Sequence, residues 1–118
     1  MEASAKGAKE NGGLTVGILP DSSSRAASGY IDIVIVTGMG AGRNYINVLS
    51  SDIIVALPGK AGTISEIALA LKSGKTVVML NFDTGKLFDS YRDEGFLKFA
   101  GSPEEAIQII KATQRANM

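Results

Sequence analysis

Short apolar runs recur along this sequence: LTVGIL at 14–19, IDIVIV at 31–36, IIVAL at 53–57, TVVML at 76–80 and FLKFA at 96–100. Most are nearly unbroken in hydrophobicity rather than alternating. A strand that is apolar at successive positions is buried on both faces. Such strands belong to parallel sheets covered by helices on either side.

The intervening segments fit that reading. Residues 2–11 are rich in Ala, Lys and Glu and predict a helix, stopped by Asn11-Gly12-Gly13. DSSSRAASG at 21–29 is a polar loop, and TGMGAG at 37–42 is a glycine-rich turn. Arg43 to Ser51 predicts a short helix carrying Ile46, Val48 and Leu49. Thr63 to Ser73 predicts a longer one, with Ile64, Ile67, Ala68 and Leu71 in one apolar stripe. Residues 81–95 read as a long loop. Ser102-Pro103-Glu104-Glu105 is a helix start with a Ser cap, Pro at the first position and Glu at the third; that helix runs to about Arg115. The expectation is one domain over residues 1–118: a three-layer α/β/α fold with a parallel sheet of about five strands.

Composition excludes several function classes. Twelve Lys and Arg balance twelve Asp and Glu, and no block of like charge appears. A nucleic-acid partner, which needs a basic face, is not expected. The absence of cysteine and histidine removes thiolate and imidazole catalysis and the commonest zinc ligands. Asp83, Asp89, Asp93 and Glu94 share no metal-ligand spacing and read as a solvated loop, so no metal is expected. No apolar run approaches the ~20 residues of a membrane helix. The opening MEASAKGAKE has no signal-peptide character, so a cytoplasmic location is the default.

Residues 57–66, LPGKAGTISE, carry the chemistry. They read as strand end, glycine-bracketed turn and helix start. Such a turn aims several backbone N–H groups at one point, at the positive end of a helix dipole, which is a phosphate site. The candidate binding residues are Pro58, Gly59, Lys60, Ala61, Gly62 and Thr63. Ligands of parallel sheets sit beyond the carboxyl ends of the strands. Loops 37–43 and 81 onward belong to that end as well, adding Gly38 and Asn81. T-G-M-G-A-G-R lacks the third glycine of a dinucleotide fingerprint, because Arg43 stands there, and no Walker A loop occurs. Thr63-x-x-Glu66 also has the spacing of a capping box.

Pro58 to Glu66, P-G-K-A-G-T-I-S-E, resembles the P-G-G-x-G-T-x-x-E signature of the LOG (lonely guy) family, often labelled lysine decarboxylase-like. Arg43, ahead of Ser51-Asp52 and the following strand, matches an arginine of that family. The opening twenty residues resemble the stretch after its first glycine-rich loop. The chain is most similar to a bacterial and archaeal branch that includes relatives of molybdenum-cofactor carriers. Lys60 stands where the signature has Gly, Asn44 where a Lys is usual, and Gly40-Ala41 where Met-His is frequent. Family members carry a further βα pair ahead of the residue matching Met1, so the resemblance implies a partial Rossmann-like nucleotide-binding domain with a short start.

What the resemblance implies for function falls into two readings. In one, the chain is a carrier or sensor binding a small phosphorylated ligand, a nucleoside monophosphate or a pterin phosphate. In the other it is a nucleoside 5′-monophosphate phosphoribohydrolase. There the catalytic residues are Glu66, stabilising an oxocarbenium-like state, and Arg43, holding phosphate or assisting the leaving base. Neither reading needs a resident cofactor, and nothing marks a pyridoxal-phosphate lysine. Strands missing from a sheet leave apolar surface uncovered, which implies a homo-oligomer.

Overall fold

The computed structural model describes residues 2–117. The chain forms two compact units, Met1–Asn47 and Val48–Met118. All its strand pairs are parallel, in a mixed α/β architecture. The one sheet of about five strands expected from the sequence is corrected, among the described residues, to two sheets of two and three strands.

The first unit opens with α1 (Glu2–Glu10), followed by β1 (Val16–Leu19) and β2 (Ile33–Val36). Helix α1 ends at the expected glycines, where the Gly13 N–H returns to the Ala8 carbonyl at 2.7 Å. Strands β1 and β2 pair in register from Val16↔Ile33 to Leu19↔Val36. Thr15 and Leu19 direct their carbonyls to β2. The backbone groups of Val16 and Ile18 therefore face the opposite edge, where no strand pairs among the described residues. Arg43 occupies part of it: its Nη1 donates to the Ile18 carbonyl at 2.8 Å.

Asp32 ties the elements of this unit together. Its carboxylate accepts from Lys9 Nζ at 2.8 Å at the end of α1 and from the Thr15 N–H at 2.9 Å. The Thr15 hydroxyl is buried and reaches the Tyr30 carbonyl at 2.6 Å. The Lys9 hydrogen bond, reinforced by the Thr15 N–H, holds the Asp32 carboxyl below its ordinary value.

A 3-10 turn at Gly40–Gly42 leads into α2 (Arg43–Leu49), which carries the chain into the second unit. There β3 (Ile53–Ala56), α3 (Ala61–Lys72), β4 (Thr76–Leu80), α4 (Asp89–Asp93), β5 (Leu97–Ala100) and α5 (Pro103–Ala116) follow in order. The sheet order is β3-β4-β5. Strand β4 lies in the middle and is buried on both faces, as its unbroken TVVML sequence requires. Val77 and Met79 join Ile67, Ala70 and Leu71 of α3 in one cluster. Val78 points the other way, to Ala106 and the half-buried Ile109 and Ile110 of α5. Helix, sheet and helix are thus the three layers of this unit.

Two details depart from the sequence reading. Helix α3 begins at Ala61, two residues before Thr63, and its buried stripe includes Ala70, whereas Ala68 is exposed. Residues 81–95 are not all loop, because α4 forms within them; Phe88 and Tyr91 pack against the core.

Asp32→Asn lowers the melting temperature. Because the folded carboxyl titrates below its unfolded value, its stabilisation is complete above about pH 4. It is lost as pH falls through the lower, folded value. Melting curves of wild type and variant from neutral to acid pH therefore converge at the acid end. In the second unit, fully buried Ile67 makes Ile67→Ala cost about 2–5 kcal/mol in denaturant unfolding.

Candidate functional site

The second unit places Pro58–Thr63, Glu66 and Asn81 near the carboxyl end of its sheet. The register Ala56↔Met79 sets Pro58 and Asn81 level on neighbouring strands, two residues further on. The Asn81 N–H then continues to the Ala100 carbonyl of β5 at 2.9 Å. Asn81 has a φ of 53°, a left-handed conformation uncommon for any residue but glycine. In the loop beyond it, Asp83 Oδ1 accepts from the Gly85 N–H at 2.8 Å. The Thr84 hydroxyl is buried with no partner among the described residues.

Helix α3 starts from this end. Its first backbone bond runs from the Ile64 N–H to the Lys60 carbonyl, 3.0 Å. The N–H groups of Ala61, Gly62 and Thr63 therefore have no acceptor within the helix. Lys60 is the N-cap residue, and its side chain makes no capping hydrogen bond. Thr63 and Glu66 consequently do not form the capping box their spacing suggested: both lie inside the helix, Glu66 half-buried on its second turn.

The start of α5 is the internal contrast. The Ser102 hydroxyl accepts the Glu105 N–H at 3.1 Å, and Glu105 Oε2 accepts the Gly101 N–H at 3.0 Å. That end is closed by the protein itself, as the sequence led one to expect. The α3 end is left for solvent or a ligand.

Glycine at 59 is demanded by geometry. A β-carbon there would overlap the Thr63 hydroxyl, because the turn folds directly onto the first turn of α3. Around Gly62, by contrast, the space for a β-carbon is open. Lys60 is exposed and adds a cation at the same end.

Gly38 and Arg43 belong to the first unit. Gly38 has a φ of 62° and donates its N–H to the Asp21 carbonyl at 2.8 Å. Arg43 is half-buried and committed locally: besides the Ile18 carbonyl, its Nε donates to Asn44 Oδ1 at 2.9 Å. Asn44 is itself buried. Sequence reasoning treated it only as a departure from a family pattern. Its signal is that a polar residue at this position on α2 faces inward and can orient the arginine beside it.

The family model of the SLOG cluster4 family matches residues 1–107. The chain belongs to the SLOG cluster4 family. Among solved SLOG-type neighbours, the molybdenum cofactor binding protein of Rippkaea orientalis is 45% identical, with a TM-score of 0.88 over 96% of this chain and 70% of that one. The molybdenum cofactor carrier protein of Chlamydomonas reinhardtii is 40% identical at a TM-score of 0.86, over 98% of this chain and 71% of that one. An uncharacterized protein of Archaeoglobus fulgidus is 55% identical over 80 residues, which are 68% of this chain and 52% of that protein. The SLOG cluster4 chain thus spans about half the length of that curated relative. These neighbours bear out the resemblance to the carrier branch and the Rossmann-like α/β class.

Gly59 and Gly62 are expected to respond to alanine with opposite signs. Gly59→Ala forces Thr63 to move and costs about 1–3 kcal/mol. Gly62→Ala meets open space on a helix and is neutral, or stabilising by up to about 1 kcal/mol. Denaturant melts of the two variants check the pair.

Proposed function

We propose that this chain is a cytoplasmic carrier or sensor for a small phosphorylated ligand, most simply a pterin phosphate of the molybdenum-cofactor kind. The observation that carries the reading is the uncapped start of α3, where three N–H groups and Lys60 are available to one anion. The sequence identity to the molybdenum cofactor carrier proteins supports the pterin over a nucleotide.

Magnitudes limit what the phosphate contact supplies. An anion at a helix N-terminus gains about 0.3–2 kcal/mol. A micromolar affinity needs about 8 kcal/mol. The ring of the ligand must supply the rest, and the Asn81–Thr84 loop beside the α3 start offers polar groups for it. The chain has neither cysteine nor histidine, so it brings no thiolate or imidazole to a metal cargo. The cargo is held through its organic part.

The phosphoribohydrolase reading asks Arg43 to serve the substrate. Arg43 is instead hydrogen-bonded to Ile18 and Asn44, which favours binding without turnover.

The test is equilibrium binding of a phosphorylated pterin and of AMP, with chromatography of both mixtures. Binding without release of free base is expected. Gly62→Asp, which sets a carboxylate in the open space at the α3 start, weakens binding at least about tenfold through like-charge repulsion. Unchanged affinity in that variant refutes the proposed site. Release of base from AMP, lost in Glu66→Gln, would establish the hydrolase instead.

A further inference from the structure

The loop after β4 is folded against its own chemistry. The Thr84 hydroxyl is enclosed with no hydrogen-bond partner among the described residues, and a buried polar group left unpaired costs stability. Three residues on, Leu87 is 64% exposed. A polar atom is buried and an apolar side chain faces water, the reverse of what burial favours. The described residues already enclose the hydroxyl, so nothing outside them reaches it without displacing that cover. The span is also loosely tied. Phe82 and Phe88 pack against the core at its two ends. The hydrogen bonds of residues 83–87 are local: the Gly85 N–H to Asp83 Oδ1, and the Asp89 N–H to the Lys86 carbonyl at 3.2 Å. Such a segment opens at low cost. Its course matters too. Phe88 and Tyr91 pack on the cluster that holds Ile67, Ala70 and Leu71, so the loop crosses from the carboxyl end of β4 to the α3 face of the sheet. It sets out from the end at which α3 begins.

We infer, on the phosphorylated-ligand reading of the α3 start, that residues 83–87 are a lid that closes over the ring of that ligand. Closing turns the Thr84 hydroxyl out of its enclosure to pair with a nitrogen or carbonyl on the edge of the ring. It turns Leu87 from water onto the face of the ring. One movement repairs both mismatches, so the ligand-free loop is the frustrated state and the bound loop the satisfied one. Gly85, with a φ of 66°, is the hinge, and Phe82 and Phe88 are the fixed posts on either side. The ligand class follows: a planar heterocycle with a polar edge and an apolar face, carrying a phosphate. A bare phosphate offers nothing to either Thr84 or Leu87.

Thr84→Val exchanges the hydroxyl for a methyl of the same shape. Without ligand its melting temperature rises by about 2–6 °C, because an unpaired buried group is gone. Its affinity for a phosphorylated pterin nevertheless falls at least about fivefold. Leu87→Ala, at an exposed position, leaves the ligand-free melting temperature within about 1 °C of wild type. It weakens the same binding at least about fivefold, through lost apolar contact with the ring. In wild type, hydrogen exchange of the 82–88 segment slows at least about tenfold when the pterin saturates the protein. Three results each overturn the lid while leaving the α3 site in place: a Thr84→Val variant that melts no higher, wild-type affinity in both variants, or exchange unchanged by saturating ligand. A wild type that binds no phosphorylated pterin defeats the reading of the α3 start itself, and the lid with it.

Discussion

The double burial of β4 sets the geometry of the second unit. Val77 and Met79 require α3 on one face, and Val78 requires α5 on the other. Neither helix can leave without exposing one side of the central strand. Because the three strands run parallel, each connecting helix must return the chain against their direction. The starts of α3 and α5 therefore fall at the same end of the sheet as Asn81. The candidate site follows from this arrangement: burying TVVML in a parallel sheet already delivers two positive helix ends to one edge.

What distinguishes those two ends is local chemistry. Helix α5 spends Ser102 and Glu105 on its own donors. Helix α3 has Lys60 where a capping oxygen would sit, and a lysine has no acceptor to offer. The same substitution that leaves the donors unsatisfied places a positive charge beside them. Stability forgone at the helix start and attraction for an anion thus have a single origin.

The strands and the capped start of α5 were legible in the sequence because each depends on contiguous residues: apolar runs, and a Ser-Pro-Glu-Glu sequence. The LPGKAGT turn was legible for the same reason. What escaped depends on distance or on marginal length. The bond from Arg43 to Ile18 joins positions 25 apart, and no spacing rule foretells it. The start of α3 slipped because Thr63-x-x-Glu66 imitates a capping box, while the helix begins at a lysine with no capping side chain. Helix α4 is a single short turn held by Phe88 and Tyr91, too brief for a periodic signal. The division into two sheets turns on which edges find partners, and hydrophobicity alone does not encode that.

The open end of α3 also has a thermodynamic meaning. Since its donors find no acceptor in the helix, a ligand that fills the site binds the folded state and not the unfolded chain. Saturation at a hundred times the dissociation constant adds about 2.7 kcal/mol to folding. Half-empty and full populations of the protein would then differ in how often they open, and so in how quickly proteases remove them. On the proposed reading, a helix left uncapped in this way would make the lifetime of the protein a measure of the ligand it holds.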